Sequence, residues 1–324
     1  MASRLDWLPW RRLRARGIMG MNERNGDFIL RYNPRKHFPL VDDKQKTKSL
    51  ALAAGIPVPD LYTVVEIEHQ LAELKNILKP YEDFVVKPSH GSGGEGILVI
   101  MGRANDAYRK VSGTLVSDED LEHHISNILS GMYSLGGLPD CALIEHRVKF
   151  DPIFSEVSYL GVPDIRTVVF RGIPVMAMVR LPTRASDGKA NLHQGAIGAG
   201  IDLTTGRTLA GVWHESLVTQ HPDTGADIEG LWIPQWDAIL ALTARCYDLV
   251  GMGYLGVDIV LDRELGPLML EMNARPGLSI QLANRQGLLN RLRQVETLQQ
   301  VPYSIENRVA LAKELCVADE SISG

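Results

Sequence analysis

Two carboxylates and an amide oxygen fall together in what reads as one hairpin. The stretch Gly256 to Gly277 holds two short apolar strands, joined by a polar turn at Asp262 to Gly266 and broken at Arg275-Pro276-Gly277. Glu271 and Asn273 are two residues apart in the second strand, so their side chains share a face. Asp258 stands in the first strand, where a hairpin sets it beside them. Hard oxygen donors walled by Val, Leu, Ile and Met suit Mg2+, which is usually held together with substrate phosphates. The same residues could instead cap exposed strand faces, and the strand pattern alone does not choose.

A second group of residues points to phosphate. The run His90-Gly91-Ser92-Gly93-Gly94-Glu95-Gly96 follows the short strand Phe84 to Lys87 and precedes the apolar Ile97 to Ile100. A dinucleotide fingerprint would lead into a helix, and no GK[ST] follows. The loop therefore joins two strands, as the flap over ATP does in kinases. Its exposed N–H groups can reach phosphate oxygens, and Lys87 adds a charge beside them. A flexible hairpin tip is the alternative. Lys44 opens a predicted helix, Asp43 to Ala54, capped by Asp42 or Asp43 and stopped by Gly55. A cation at a helix start is poorly placed unless an anion comes to it. An ordinary solvated lysine fits the position equally well.

The elements that must carry these residues alternate along the chain. Leu61 to Ile67 reads as a strand and Glu68 to Leu78 as an amphipathic helix. Ser117 to Ser130 is a helix and Ala142 to Val148 a strand. Thr167 to Phe170 and Val175 to Leu181 pair across a turn at Arg171 to Pro174, with Arg180 near the end of the second strand. Ile228 to Val250 holds a helix, and residues 301–324 read as a polar tail. The start differs in character: Leu5, Trp7, Leu8 and Trp10 stand among five arginines between Arg4 and Arg16. It could meet an anionic surface or a partner, or pack on its own domain. Asn22 to Pro39 is turn-rich.

Composition narrows the class. The 324 residues allow roughly two domains, with 45% hydrophobic and 23% charged residues as in ordinary globular proteins. A formal net charge of -5 argues against a general nucleic-acid binder. The three cysteines are far apart and form no CxxC, which points to a reducing compartment. No apolar run approaches a bilayer span and no signal peptide is visible, so the chain reads as soluble and cytoplasmic.

These pieces together resemble the ATP-grasp superfamily, and within it the RimK-type alpha-L-glutamate ligase-like proteins. The carrying residues are DDK at Asp42 to Lys44, VVKPSHGSGGEG from Val85 to Gly96 and IEHRV from Ile144 to Val148. DIR at Asp164 to Arg166, NLHQGA at Asn191 to Ala196 and GVDI…GPLMLEMNARPG from Gly256 to Gly277 complete them. The match spans roughly residues 40 to 300. It implies an α+β ATP-grasp fold, with two α+β subdomains clasping ATP. The implied division is an N-terminal arm at 1–43, a lid-bearing subdomain at 44–147, a catalytic subdomain at 148–300 and a tail at 301–324.

The resemblance also implies roles. Lys44 and Lys87 would bind the nucleotide phosphates, with Gly91, Ser92, Gly93, Gly94 and Gly96 closing over them. Glu145, Arg147 and Val148 would meet adenine, and Asp164 the ribose. Asp258, Glu271 and Asn273 would hold Mg2+, with Mn2+ as a substitute. Arg180 and Arg275 would face an acyl phosphate, while Asn191 and His193 line the acceptor side, His193 being the candidate base. The implied reaction joins a carboxylate to an amine at the expense of ATP. An amino acid such as glutamate would meet a carboxylate-bearing peptide or small molecule. A phosphotransferase acting on a hydroxyl and a non-catalytic ATP-binding partner are the alternatives. Members of the resembled group carry a full domain before the first lysine motif. Only about forty residues precede Lys44, which suggests that a second copy or a partner protein completes the pocket.

Overall fold

The computed structural model describes residues 9–91, 93–134 and 137–323, with side chains described within 12–316. Among the described residues the strands form two antiparallel sheets. The smaller is built from β1 (Leu61–Val65), β2 (Phe84–Pro88), β3 (Leu98–Ala104), β4 (Ala107–Lys110), β5 (Leu115–Val116) and β6 (Ala142–Glu145). Its order is β1-β6-β2-β3-β4-β5. The larger holds β7 (Asp164–Phe170), β8 (Ile173–Leu181), β9 (Ile197–Ile201), β10 (Thr208–Trp213), β11 (Ser216–Val218), β12 (Tyr254–Asp262) and β13 (Gly266–Asn273). Its order is β11-β10-β9-β8-β7-β12-β13.

The helices are α1 (Pro9–Ala15), α2 (Met21–Glu23), α3 (Leu30–Tyr32), α4 (Pro39–Asp42), α5 (Lys44–Ala53), α6 (Leu71–Leu78), α7 (Asp118–Leu129), α8 (Trp236–Val250), α9 (Ser279–Asn284), α10 (Leu289–Thr297) and α11 (Ile305–Ser323). The α+β expectation is met by this arrangement of two antiparallel sheets and their helices. Asp43 caps α5 by accepting from the Lys46 N–H at 3.1 Å. Ser117 and Asp120 close a capping box on α7.

Strand alternation decides what each sheet face carries. In the smaller sheet Phe84, Val86, Ala142 and Ile144 join α6 and α7 in one apolar core. Val85, Lys87, Leu143 and Glu145 therefore point to the other face. In the larger sheet Ile165, Val169, Ala177, Val179, Leu255, Val257 and Ile259 pack towards α8. The opposite face divides in two. Val168, Phe170, Met176, Met178 and Tyr254 are covered by Phe28, Ile29 and the helices after the hairpin. Further along the same strands that face turns ionic.

Several expected boundaries move. Residues 19–41 are no arm: Met19, Phe28, Ile29 and Val41 are buried in the larger sheet's cores, through short helical turns that read as turn-rich in sequence. Asn33 ties them to the hairpin, its amide donating to Tyr254 O at 2.8 Å and Ala274 O at 3.0 Å. Ala51, Ile56 and Val58 join the same large core, so α5 does not belong with the smaller sheet as a division at residue 44 supposed. The polar tail is helical, and α11 packs on α8 and β8. The helix expected within Ile228 to Val250 runs from Trp236 to Val250, after Gln235 in a left-handed conformation (φ 55°). The β7–β8 turn is the two-residue Arg171-Gly172, both at positive φ, as a twisted hairpin prefers. The strand expected to run to Val148 ends at Glu145. The early Trp-containing residues 1–8 lie outside the described residues.

The link between the sheets, 146–149, is held by Asp262 at the end of β12. Its carboxylate accepts from the Lys149, Glu264 and Leu265 N–H groups at 2.9, 2.9 and 3.1 Å and meets His146 Nε2 at 3.0 Å. Burial works against charge there, but these donors hold the Asp262 carboxyl below the ordinary aspartate value. A depressed folded-state pKa contributes stability that is full at neutral pH and lost as pH falls through the lowered value. Asp262→Asn is therefore expected to lower stability at neutral pH by about 1–3 kcal/mol. The gap to wild type should close in acid, as read by chemical denaturation across pH.

Candidate active site

The ionic half of the larger sheet is laid out strand by strand. The register pairs Asp164 with Arg180, Asp258 with Arg166, and Asp258 with Glu271. Four neighbouring strands, β8, β7, β12 and β13, thus carry one row of charged side chains on one face. Arg166 grips both oxygens of Asp258, and Arg180 grips both oxygens of Asp164. Arg180 Nη2 also donates to Asp258 Oδ2 at 2.9 Å. The Asn273 amide donates to Asp258 at 3.4 Å and to Glu271 at 3.2 Å. The Asp258 side chain is 1% exposed and those of Arg166 and Arg180 are 12% and 13%.

Two carboxylates sharing one guanidinium titrate apart. Burial pushes the Asp164 carboxyl up to about 6, against the pull of Arg180. Burial opposes charge on Asp258 as well, yet Arg166 and Arg180 hold that carboxyl below the ordinary range. Asp164 is thus spent on Arg180 rather than set out for a ribose, which corrects the role the resemblance implied.

The three residues expected at a metal do meet. The donor set fits a hard cation in part: Glu271 and Asn273 supply a carboxylate and an amide on the open side. Asp258 has both oxygens on guanidinium groups, which leaves it less open to a cation than Glu271. Among the described residues no group of three or more His, Cys, Asp and Glu side chains is placed to hold a metal ion.

Lys44 faces the same place from α5. Its ammonium donates to Ser89 O at 3.2 Å and Gly91 O at 2.5 Å, tying the helix start to the base of the glycine loop. Burial lowers its pKa, and the charge of Glu271 draws it back up in part. Lys87 sits on the inward face of β2 and is ion-paired with Glu145. Lys48, one turn after Lys44, takes the other oxygen of Glu145 and donates to Pro59 O at 2.8 Å. Glu145 is 4% exposed at its side chain, so its carboxylate is sealed between two lysines and does not present itself to adenine. Lys48 and Arg166 were not singled out from the sequence. Lys48 carries a detectable signal, since it shares a helix face with Lys44.

The glycine loop lies across the gap between the sheets. Gly93, Gly94 and Gly96 have φ of 65°, 80° and 72°, which L side chains rarely adopt. A Cβ at Gly96 would stand 2.6 Å from the Tyr133 ring, so that position is closed to side chains on two counts. At the loop's base Asp140 accepts from the His90 and Cys141 N–H groups and from Ser134 Oγ, and pairs with His90 Nδ1 at 2.7 Å. At its tip Gln194 donates to Gly93 O at 3.4 Å, and the Lys189 stem lies beside Gly94. Ser92 lies outside the described residues.

Other expected residues stand apart from the ion row. Asn191 caps its own turn, accepting from the His193 N–H at 3.0 Å. His193 is exposed on the loop that meets the lid. Arg275 is exposed and stacks on Phe38 at 4.6 Å, taking no carboxylate partner among the described residues, rather than facing the row. Arg147 pairs with Asp83 at 3.0 Å. Val148 lies in a small apolar cluster with Val260 and Leu268, against which Leu270 packs.

A family model described as sugar-transfer associated ATP-grasp matches residues 23–297. No curated protein matches the chain. Among solved structures, the ATP-grasp ligase PsnB with its minimal precursor is 14% identical, with a TM-score of 0.45, over 89% of this chain and 63% of that one. The chain thus spans less than two thirds of that ligase. The D-cycloserine synthetase DcsG is 16% identical over 87% and 73%, with a TM-score of 0.46. A RimK domain ATP-grasp protein from Sphaerobacter thermophilus is 15% identical over 81% and 70%, with a TM-score of 0.44. No helix among the described residues is long and apolar enough to cross a membrane.

The row makes a stability prediction. Arg180→Met leaves Asp164 with no cation and should destabilise by about 3–5 kcal/mol in mildly alkaline buffer. The cost should shrink as pH falls towards about 6, because Asp164 without Arg180 takes up its proton above the value of about 6 that it has beside the guanidinium. Denaturant titration at several pH values reads this.

Proposed function

The chain belongs to the sugar-transfer associated ATP-grasp family, and from that premise we propose that it is an ATP-dependent ligase joining a carboxylate to an amine. The observation that supports the reading is an arrangement: Lys44 binds the base of the glycine lid, Gly93 of the lid meets Gln194 of the loop beside the larger sheet, and Glu271 and Asn273 stand side by side on that sheet. Each supplies what a nucleoside triphosphate needs. Lys44 and Lys87 would neutralise phosphate oxygens, and the N–H groups of the lid would cover them. Glu271 and Asn273 would hold Mg2+, or Mn2+ in its place, which supplies Lewis-acid neutralisation of phosphate charge. The apolar cluster at Val148 and Leu270 suits the flat face of a base.

The reaction class follows from the charges. A carboxylate oxygen attacks the terminal phosphorus and ADP leaves, giving an acyl phosphate; an amine then attacks the acyl carbon, and phosphate and the amine's proton are released. Negative charge builds in both steps, so fixed cations lower the barrier. Arg180 would serve through Nη1, the guanidinium nitrogen that it gives to neither Asp164 nor Asp258. The lid, pressed on the loop at Gln194 and Lys189, would keep water from the acyl phosphate. The amine donor is an amino acid, with glutamate as the first to try. The carboxylate is borne by a peptide or small molecule. The family's association with sugar transfer adds amino sugars and sugar acids to the panel. It also favours a second reading, phosphoryl transfer to a sugar hydroxyl.

The test is ADP release from Mg2+-ATP across amino acids, peptides, sugar acids and amino sugars, with product masses. Amide formation with free phosphate supports the ligase, and a phosphorylated product supports the second reading. Glu271→Gln and Lys87→Ala should each lower ADP release by on the order of a hundredfold with an unchanged circular dichroism spectrum. A fully active Glu271→Gln protein contradicts the metal assignment.

A further inference from the structure

The buried carboxylate of Glu145 has two cations where one would neutralise it. Lys87 holds Oε1 from β2 and Lys48 holds Oε2 from α5. Lys48 is fixed by a second contact, its donation to Pro59 O at 2.8 Å. Lys87 has no such second anchor among the described residues. All three side chains are at least nine-tenths buried. Lys87 is a lysine assigned to phosphate in the reading above, and Lys48 shares its carboxylate.

We propose that Lys48 is a positioning residue: it stays on Glu145 so that Lys87 can leave for a nucleotide phosphate. This rests on the ATP reading above. A buried carboxylate stripped of its last partner is strongly disfavoured. With Lys48 in place, the departure of Lys87 leaves a neutral Lys48–Glu145 pair in the core. Without Lys48, each phosphate must draw Lys87 away from a carboxylate that has nothing else. Lys48 thus acts on affinity for nucleotide without touching it. The pair also links α5, which carries Lys44, to β6, so that both phosphate lysines report to one carboxylate.

The test is calorimetric titration of the full chain with a non-hydrolysable ATP analogue and Mg2+, with thermal melting as the check on folding. Lys48→Met should bind on the order of tenfold or more weakly. Lys48→Arg keeps the cation and should bind as wild type within about threefold. The decisive variant is the double Lys48→Met/Glu145→Gln, which removes the carboxylate that would trap Lys87. It should bind more tightly than Lys48→Met alone, whereas a merely structural Lys48 would leave the double variant as weak or weaker. If methionine is not tolerated, Lys48→Gln and its double with Glu145→Gln take its place. Wild-type affinity in the folded single variant, or no recovery in the double, overturns the inference. A wild-type protein that binds no nucleotide overturns the ATP reading and this inference with it.

Discussion

Asp258 lies in the larger sheet with both oxygens on guanidinium groups, and the rest of the cleft depends on that pairing. A buried carboxylate is tolerated only when its charge is matched and its lone pairs are satisfied. Arg166 and Arg180 do this from the adjacent strand and the one beyond, and Arg180 serves Asp164 as well. The row is possible because β8, β7, β12 and β13 are neighbours in one antiparallel ladder. Their alternation sends Leu255, Val257 and Ile259 to the α8 side and Asp258 to the other. A slip of one residue in β12 would bury its ionic residue among the helices and turn its apolar ones to the cleft. The apolar half of the same face, around Phe170 and Tyr254, keeps that register by packing.

The smaller sheet repeats the logic with lysines in place of arginines. There a single carboxylate, Glu145, is matched by two ammonium groups. The cleft therefore has an arginine-neutralised acidic wall and a lysine-rich wall, with the glycine loop spanning the gap. Lys44 belongs to both, since its helix packs with the larger core while its ammonium holds the loop's base. Asp262 sets the link between the walls through backbone donors on either side of it.

The local parts of this design were legible in sequence. The cap at Asp43, the strand–glycine–strand order around Gly91 to Gly96 and the Asp258/Glu271/Asn273 hairpin all depend on short-range chemistry. What was missed depends on distant partners. Glu145 stands as an adenine contact implied by the resemblance until Lys48, 97 residues away, is found on its carboxylate. Arg166 looks like part of a strand until β12 is laid beside β7. Asn22 to Pro39 shows turn residues because its helical turns are very short, and their burial comes from a sheet more than a hundred residues later. The strands β9 to β11 were passed over, and their glycine-rich and mixed pattern explains why: Gly198 and Gly200 leave no side chain to alternate, and the Cβ of each would meet Leu192 or Asn284 within 2.7 Å.

The most direct measurement is a crystal structure of the full chain with a non-hydrolysable ATP analogue and Mn2+, located by its anomalous signal. The account expects the outer phosphates between Lys44 and Lys87, beneath Gly93 to Gly96, with manganese on Glu271 and Asn273. A triphosphate bound elsewhere, or manganese away from both residues, would contradict it.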